Sequence, residues 1–498
     1  MSIEGRIGGI AKQENKEKNM PIIIILLLLV MTSCGSVTVP DGAKNREVEI
    51  YPDYRGVTVP RSIAPLNMMV TEDGAKAICA TLEAGEKKII VGARDDRKIE
   101  IDEGEWRGLT ADSTAGKIDV TIYYTMDNVD CCETLSIYVS DDGFDPYVTY
   151  RLIEPGYEVW NAIQIEERDM RTFKTRILAD NSKMGGQCMN CHIHGAEGRV
   201  SLFHLRGKSG GTILAQDGKL RKVTLRSEGM KSGAVYGDIS SSGRYGVFST
   251  NEIIPALHSV GSRRLEVYDA ESDLCIADFE RDSMILSSLV SGTEELETFP
   301  CFSADGRTVY YCSARAVALP DSIGALRYSI LKIGFDGERW GEKVDTVWSA
   351  WRNGGSASLL KVSPDGRYLM FAWSDHGTFP IWHRETDLRM IDLVSGNEMD
   401  VSALNSEVSE TYHSWASSSR WVVFASKRND GQYGRVYVAH IDRDGRAGKP
   451  FVLPQSDPES DILCLKSYNI PDVSPLPAGF NSQAVEKMYR EVSAEQFR

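Results

Sequence analysis

One turn with its flanking apolar runs recurs four times in this chain and limits the folds open to it. Ser-Ser-Gly-Arg-Tyr-Gly-Val-Phe ends at Phe248, Ser-Ala-Asp-Gly-Arg-Thr-Val-Tyr at Tyr310, Ser-Pro-Asp-Gly-Arg-Tyr-Leu-Met at Met370, and Ser-Ser-Ser-Arg-Trp-Val-Val-Phe at Phe424. The arginines Arg244, Arg307, Arg367 and Arg420 are 63, 60 and 53 residues apart. Each is followed by a second apolar run ending at Asp269, Asp336, Asp392 or Asp442, which lie 25, 29, 25 and 22 residues further on. A Gly-containing turn between apolar runs makes a hairpin, and two hairpins per repeat make a four-stranded antiparallel blade. Repeated blades of this size predict a β-propeller, whose closure protects the sheet edges. An imperfect copy spans Gly198 to Arg226, giving five visible blades. Strands before residue 182 and a closing strand near Cys464 to Tyr468 would complete about six.

Upstream of Asp145 the pattern is different. Short alternating strands (Leu66 to Thr71, Lys76 to Leu82, Lys88 to Val91, Lys117 to Met126, Leu135 to Val139) are separated by turn clusters. They predict a small β-sandwich of immunoglobulin-like type. The expected fold class is therefore all-β, with a sandwich over 47–144 and a propeller over 145–475. A Pro-rich tail follows over 476–498, with a short helix from Ser482 capped by Asn481 or Ser482.

The first residues read as a targeting segment. Lys16 and Lys18 precede an unbroken apolar run from Ile22 to Met31, then Thr32, Ser33 and Cys34. The run is too short to span a bilayer and has the layout of an export signal. Met-Thr-Ser-Cys resembles a bacterial lipobox, which implies a signal peptide over 1–33, lipidation of Cys34 and a tether over 34–46. The membrane, reached through Cys34, is one expected partner. The expected location is the cell envelope, facing the periplasm from the inner leaflet of the outer membrane. The whole chain carries a formal net charge of -15. Removing 1–33 takes away four basic and three acidic residues, so 52 positive against 68 negative charges leave -16. Such a surface repels phosphate backbones, and nucleic acid is not an expected partner.

The strongest chemical motif is Cys188-Met-Asn-Cys191-His192. Two thiols three positions apart can add to the vinyl groups of one haem, with the adjacent histidine as proximal iron ligand. The expected cofactor is one covalent haem c, held by a loop over 182–196. A zinc site would need a second ligand pair, and a thioredoxin-type site should open a helix. Candidate distal ligands are His194, His204, Met184 and Met230, with His204 preferred because a strand would hold it. A second cluster, His376, His383 and His413 with Trp382, Trp415 and Asp387, could meet where propeller loops converge. It could equally be a set of hydrogen-bonded structural pairs. No nucleophile elbow, phosphate loop or His-Glu-x-x-His is present. The remaining cysteines, Cys79, Cys131, Cys132, Cys275, Cys301, Cys312 and Cys464, show no framework spacing. Centring one hairpin on Asp305-Gly306 places Cys301 opposite Tyr310 rather than Cys312.

The Ser-Pro-Asp-Gly-Arg repeats resemble the WD40-like repeats of TolB-type propellers over about Gly198 to Leu453. Several further stretches resemble a family of Bacteroidota lipoproteins that join such a propeller to one haem-attachment motif. These are Thr58-Val-Pro-Arg-Ser-Ile-Ala-Pro-Leu-Asn, Tyr150-Arg-Leu-Ile-Glu-Pro-Gly-Tyr, Cys188-Met-Asn-Cys-His, Leu202-Phe-His-Leu-Arg-Gly, Phe379-Pro-Ile-Trp-His, His413-Ser-Trp-Ala-Ser-Ser-Ser-Arg-Trp and Ser467-Tyr-Asn-Ile-Pro. The resemblance implies no established reaction. The expected function is a membrane-anchored haem protein for electron transfer or redox sensing, with an unidentified redox or cell-envelope protein as partner. The alternatives are a non-enzymatic scaffold that binds a protein or envelope glycan, and a haem peroxidase or hydrolase.

Overall fold

The computed structural model describes residues 37–111, 116–154, 162–257, 265–319 and 322–498. The expected export signal, Cys34 and the start of the expected tether lie outside them. Six sheets radiate from a central channel. Blade one holds Tyr147–Ile153, Ile163–Asp169, Thr175–Asp180 and, innermost, Ser467–Ser474. The last long strand of the chain thus completes the first blade and closes the ring, as expected from the segment near Tyr468. Blade two begins with Met189–Gly195, blade three with Ala234–Ile239, blade four with Glu295–Phe302, blade five with Ser356–Val362 and blade six with Glu410–Trp415. These five strands and Ser467–Ser474 are innermost in their blades and touch one another in a closed cycle around the channel.

The repeated turn has a physical basis. The Ser303 hydroxyl donates to Asp305 at 2.6 Å and accepts from the Thr308 N–H at 2.9 Å, while Asp305 accepts from the Arg307 N–H at 3.0 Å. Ser363, Asp365, Arg367 and Tyr368 repeat the same bonds. Each side chain satisfies backbone donors that the turn would otherwise leave unpaired. In that hairpin Cys301 pairs with Tyr310, as the turn position required. The nine described cysteines are all free.

Blade three departs from the even spacing read in the sequence. Its second hairpin joins Tyr245–Leu257 to Leu265–Asp278, far longer than its counterparts. Arg244 pairs with Asp278 at 2.7 Å, so the strand that completes the repeat ends there and not at Asp269. Asp269 lies in the extended arm, because the hairpin grew at its tip without disturbing the blade below.

The N-terminal unit is β-rich, as expected, with one helix, Glu103–Ala111, that was not expected. Its strands follow a path of hydrogen-bonded neighbours that turns at Lys87–Arg94, which pairs with Lys76–Ala84 on one side and Lys98–Ile99 on the other. It shares its core with the propeller. Trp421, fully buried, belongs to one apolar cluster with Val59, Ile118 and Ile137 of the N-terminal unit and Val423 and Val438 of blade six. Its indole donates to the Asp142 carbonyl at 3.1 Å. At the other end, helix Ser482–Glu491 is capped by Asn481, which accepts from the Ala484 N–H at 3.0 Å. Glu495–Gln496 then adds a fifth strand to blade two.

Candidate functional site: a ring of bulges in the channel

Each innermost strand carries a break in register at the same level. The residues that drop out of the ladder are Cys191-His192, Val235-Tyr236, Phe299-Pro300, Leu359-Leu360, Tyr412-His413 and Ile470-Pro471. A bulge leaves its extra residues unpaired and turns side chains away from the regular alternation. Five of the six place a non-glycine residue in the left-handed region: Cys191 at φ 56°, Phe299 at 45°, Leu359 at 54°, Tyr412 at 47° and Ile470 at 51°. Such conformations cost of order 1–3 kcal/mol each and gather at functional sites. In blade three glycine is required just after the bulge, since a Cβ on Gly237 would lie 2.1 Å from the Val247 carbonyl oxygen.

Eleven of these twelve residues line one cavity, joined by Ile193, Gly237, Lys361, Ser414 and Asp472. Its water-accessible core is about 90 Å³ within about 620 Å³ of atom-free space, open mouth included. Phe299, Leu359, Leu360, Ile470 and two tyrosines make the walls mainly apolar. The channel continues past Lys361 and Asp472 into a mouth of about 270 Å³ bordered by Asp145, His194, Glu197 and Asp238.

The Cys-x-x-Cys-His motif is therefore not in a loop over 182–196. Its loop portion ends in a single helical turn, Asn181–Met184, and glycines 185 and 186 in left-handed conformation. Met189–Gly195 then enters the propeller as the innermost strand of blade two. Cys188, Cys191 and His192 are 8%, 5% and 3% exposed. Burial raises the Cys188 thiol and pushes Cys191 up to about 12, against the opposing pull of Arg151 and Arg206. Both sulfurs are neutral thiols at pH 7, which makes them poor nucleophiles. Burial likewise lowers His192 to about 4. Its Nε2 lies 3.3 Å from the Thr149 carbonyl, and its Nδ1, buried, has no hydrogen-bond partner.

The same cavity holds His413, which burial lowers to about 3. Its Nε2 meets the Met370 carbonyl at 3.0 Å, and its Nδ1 too is buried without a hydrogen-bond partner. The preferred distal candidate, His204, is not in the cavity. It sits on the second strand of blade two with both nitrogens engaged, Nδ1 by the Thr212 hydroxyl at 2.8 Å and Nε2 by the Val235 carbonyl at 2.8 Å. His194 is similarly held between Ser201 and Thr149. Met184 and Met230 are packed in separate apolar clusters.

The second expected cluster is divided. His376 and His383 stand side by side, ring centroids 4.8 Å apart. Between them reaches Glu266, from the extended arm of blade three, which the sequence did not single out. His413 is in the channel instead, Trp415 stacks on Tyr368, and Asp387 pairs with Trp373 in the blade-five ladder. No sequence signal marked Glu266, because the run ending at Asp269 has the offset of an ordinary repeat.

No family model matches the sequence, and no curated protein matches it either. The chain is similar in structure to TolB from Acinetobacter baumannii, at 13% identity over 76% of this chain and 86% of that one, with a TM-score of 0.44. It is also similar to a periplasmic gluconolactonase of Pseudomonas aeruginosa, PpgL, at 15% identity over 62% of this chain and 97% of that one, with a TM-score of 0.33. A prolyl endopeptidase is similar at 12% identity over 67% of this chain and 47% of that one, with a TM-score of 0.35.

Proposed function

We propose that the propeller is the scaffold of a c-type haem protein that works in electron transfer or redox sensing at the cell envelope. The observation that carries this reading is the placement of Cys191 and His192 on the innermost strand of blade two, with Cys188 just before it and the unpartnered Nδ1 atoms of His192 and His413 lining one apolar cavity. The donor chemistry fits the group. The thiols of Cys188 and Cys191 could form thioethers, and the neutral imidazoles of His192 and His413 could hold the iron. Arg151 and Arg206 lie within electrostatic reach of both thiols and can neutralise carboxylate substituents.

A covalently held haem supplies one-electron redox chemistry at its iron. The chain's own part is to keep that chemistry dry and oriented. Tyr236 and Tyr412 flank Cys191, and burial raises both phenols above their usual range, so they stay protonated. Lys361, ion-paired with Asp238 at 2.9 Å, holds the one ammonium of the cavity lining beside the wider mouth. Because both thiols are buried within the closed ring, attachment precedes docking of Met189–Gly195 into the propeller. Anchoring through Cys34 would hold the domain at the membrane, where an unidentified redox protein would meet it.

Haem staining of the denatured protein, produced with a cytochrome maturation system, tests the reading. One covalent haem per chain is expected, and none in a Cys188→Ala, Cys191→Ala double variant. A wild-type protein without covalent haem overturns it.

A further inference from the structure

The extended arm of blade three reaches across to blade five at a buried point. Glu266, on the extended arm, is 3% exposed, and so nearly are the histidines it meets, His383 at 1% and His376 at 8%. A Glu266 carboxylate oxygen lies 2.8 Å from His383 Nε2 and the other lies 3.6 Å from His376 Nε2. One ligand atom from each of the three falls within 4.8 Å of the others. On the far side of the ring, His383 Nδ1 lies 3.0 Å from Glu385. Two Nε2 atoms and one carboxylate around a common point, with a carboxylate behind one imidazole, match the donor set of a zinc-type site.

The backbone leaves room for a fourth ligand. Gly377, between the two histidines in the chain, is left-handed at φ 70°. A Cβ there would lie 3.6 Å from Glu266 Oε1 and 3.7 Å from His383 Nε2, so glycine keeps that side of the cluster open. Its position is fixed, since its N–H donates to the Leu326 carbonyl at 2.8 Å and its carbonyl accepts from the Ser356 hydroxyl.

We propose that Glu266, His376 and His383 bind one divalent transition-metal ion, zinc foremost, with Glu385 as the positioning residue for His383. On binding, the Nε2 proton that His383 shares with Glu266 leaves to solvent and a metal–nitrogen bond replaces it. The ion would pin the extended arm of blade three to blade five beside Phe379, whose ring touches Tyr236 and Phe299 of the channel wall. This site is separate from the Cys-x-x-Cys-His motif and does not depend on the haem reading.

The test is titration of chelator-stripped full chain with zinc, followed by calorimetry in two buffers of different ionisation enthalpy, and with cobalt, followed by absorption. Expected are one ion per chain, proton release, a rise in Tm and a cobalt spectrum without a thiolate charge-transfer band. His376→Gln should abolish binding. Glu385→Gln should weaken it about 10–100-fold while leaving the stoichiometry intact. The Cys188→Ala, Cys191→Ala variant should bind as wild type does. No binding by the wild type, or binding lost with the cysteines and kept in His376→Gln, overturns the proposal. If His376→Gln fails to fold, the thiolate band and the Glu385→Gln affinity decide.

Discussion

The channel histidines and His383 beneath the blade-three arm are similarly buried and electrostatically opposite. His192 and His413 sit among apolar walls and carbonyls, and burial holds them at about 4 and about 3. Burial also pulls on His383, but its hydrogen bonds to Glu266 and Glu385 outweigh that pull and raise it to about 9. The same side chain is thus a neutral donor in one place and a cation in the other. What differs is a carboxylate brought from another blade, and with it the chemistry each site can offer.

The largest way to break this contrast is to remove the carboxylate. Glu266→Gln keeps the volume but leaves His383 with a poorer buried partner, and should cost the metal-free protein about 3 kcal/mol in denaturant unfolding. A cost under about 0.5 kcal/mol would mean that the arm is held by packing alone. Next is acid. His204 is neutral and buried, lowered to about 4 by burial, while in the unfolded chain it titrates near 6.5. Between those values the unfolded chain binds the extra proton, so the stability is whole above about 6.5 and falls as pH drops towards 4, by about 3 kcal/mol. His204→Gln should flatten that acid limb in a pH series of Tm values. His413→Gln should cost only about 1 kcal/mol, the loss of one buried hydrogen bond, yet should shift the optical spectrum of the haem-loaded protein. An unchanged spectrum would remove His413 from the haem's surroundings. Smallest is His440→Asn at the joint with the N-terminal unit. Its Nε2 to Asp142 contact, 2.7 Å, is only partly buried, and its loss should cost no more than about 1 kcal/mol.

The repeat was legible because its turn is written in side chains. Ser303, Asp305, Gly306 and Arg307 each perform a local task that needs that residue type. The innermost strands were not legible, for the opposite reason. Their bulges interrupt the two-residue alternation, so Met189–Gly195, with the most specific motif in the chain, reads as a loop. Cys191 and His192 could be named as chemistry but not placed on the channel wall. Glu266 could not be found at all, since its partners lie more than a hundred residues away and its own strand looked like part of an ordinary repeat.

The six bulges also bear on how such a protein can change. A residue inside a ladder is constrained by both neighbouring strands, whereas the twelve positions at the bulges have already left the hydrogen-bond register. Substituting one of them alters what the channel presents without shifting a strand. The ring therefore behaves as six independent dials on a fixed frame. Cys191 and His192 are one setting of one dial, and their neighbours could be reset, blade by blade, to suit a different guest.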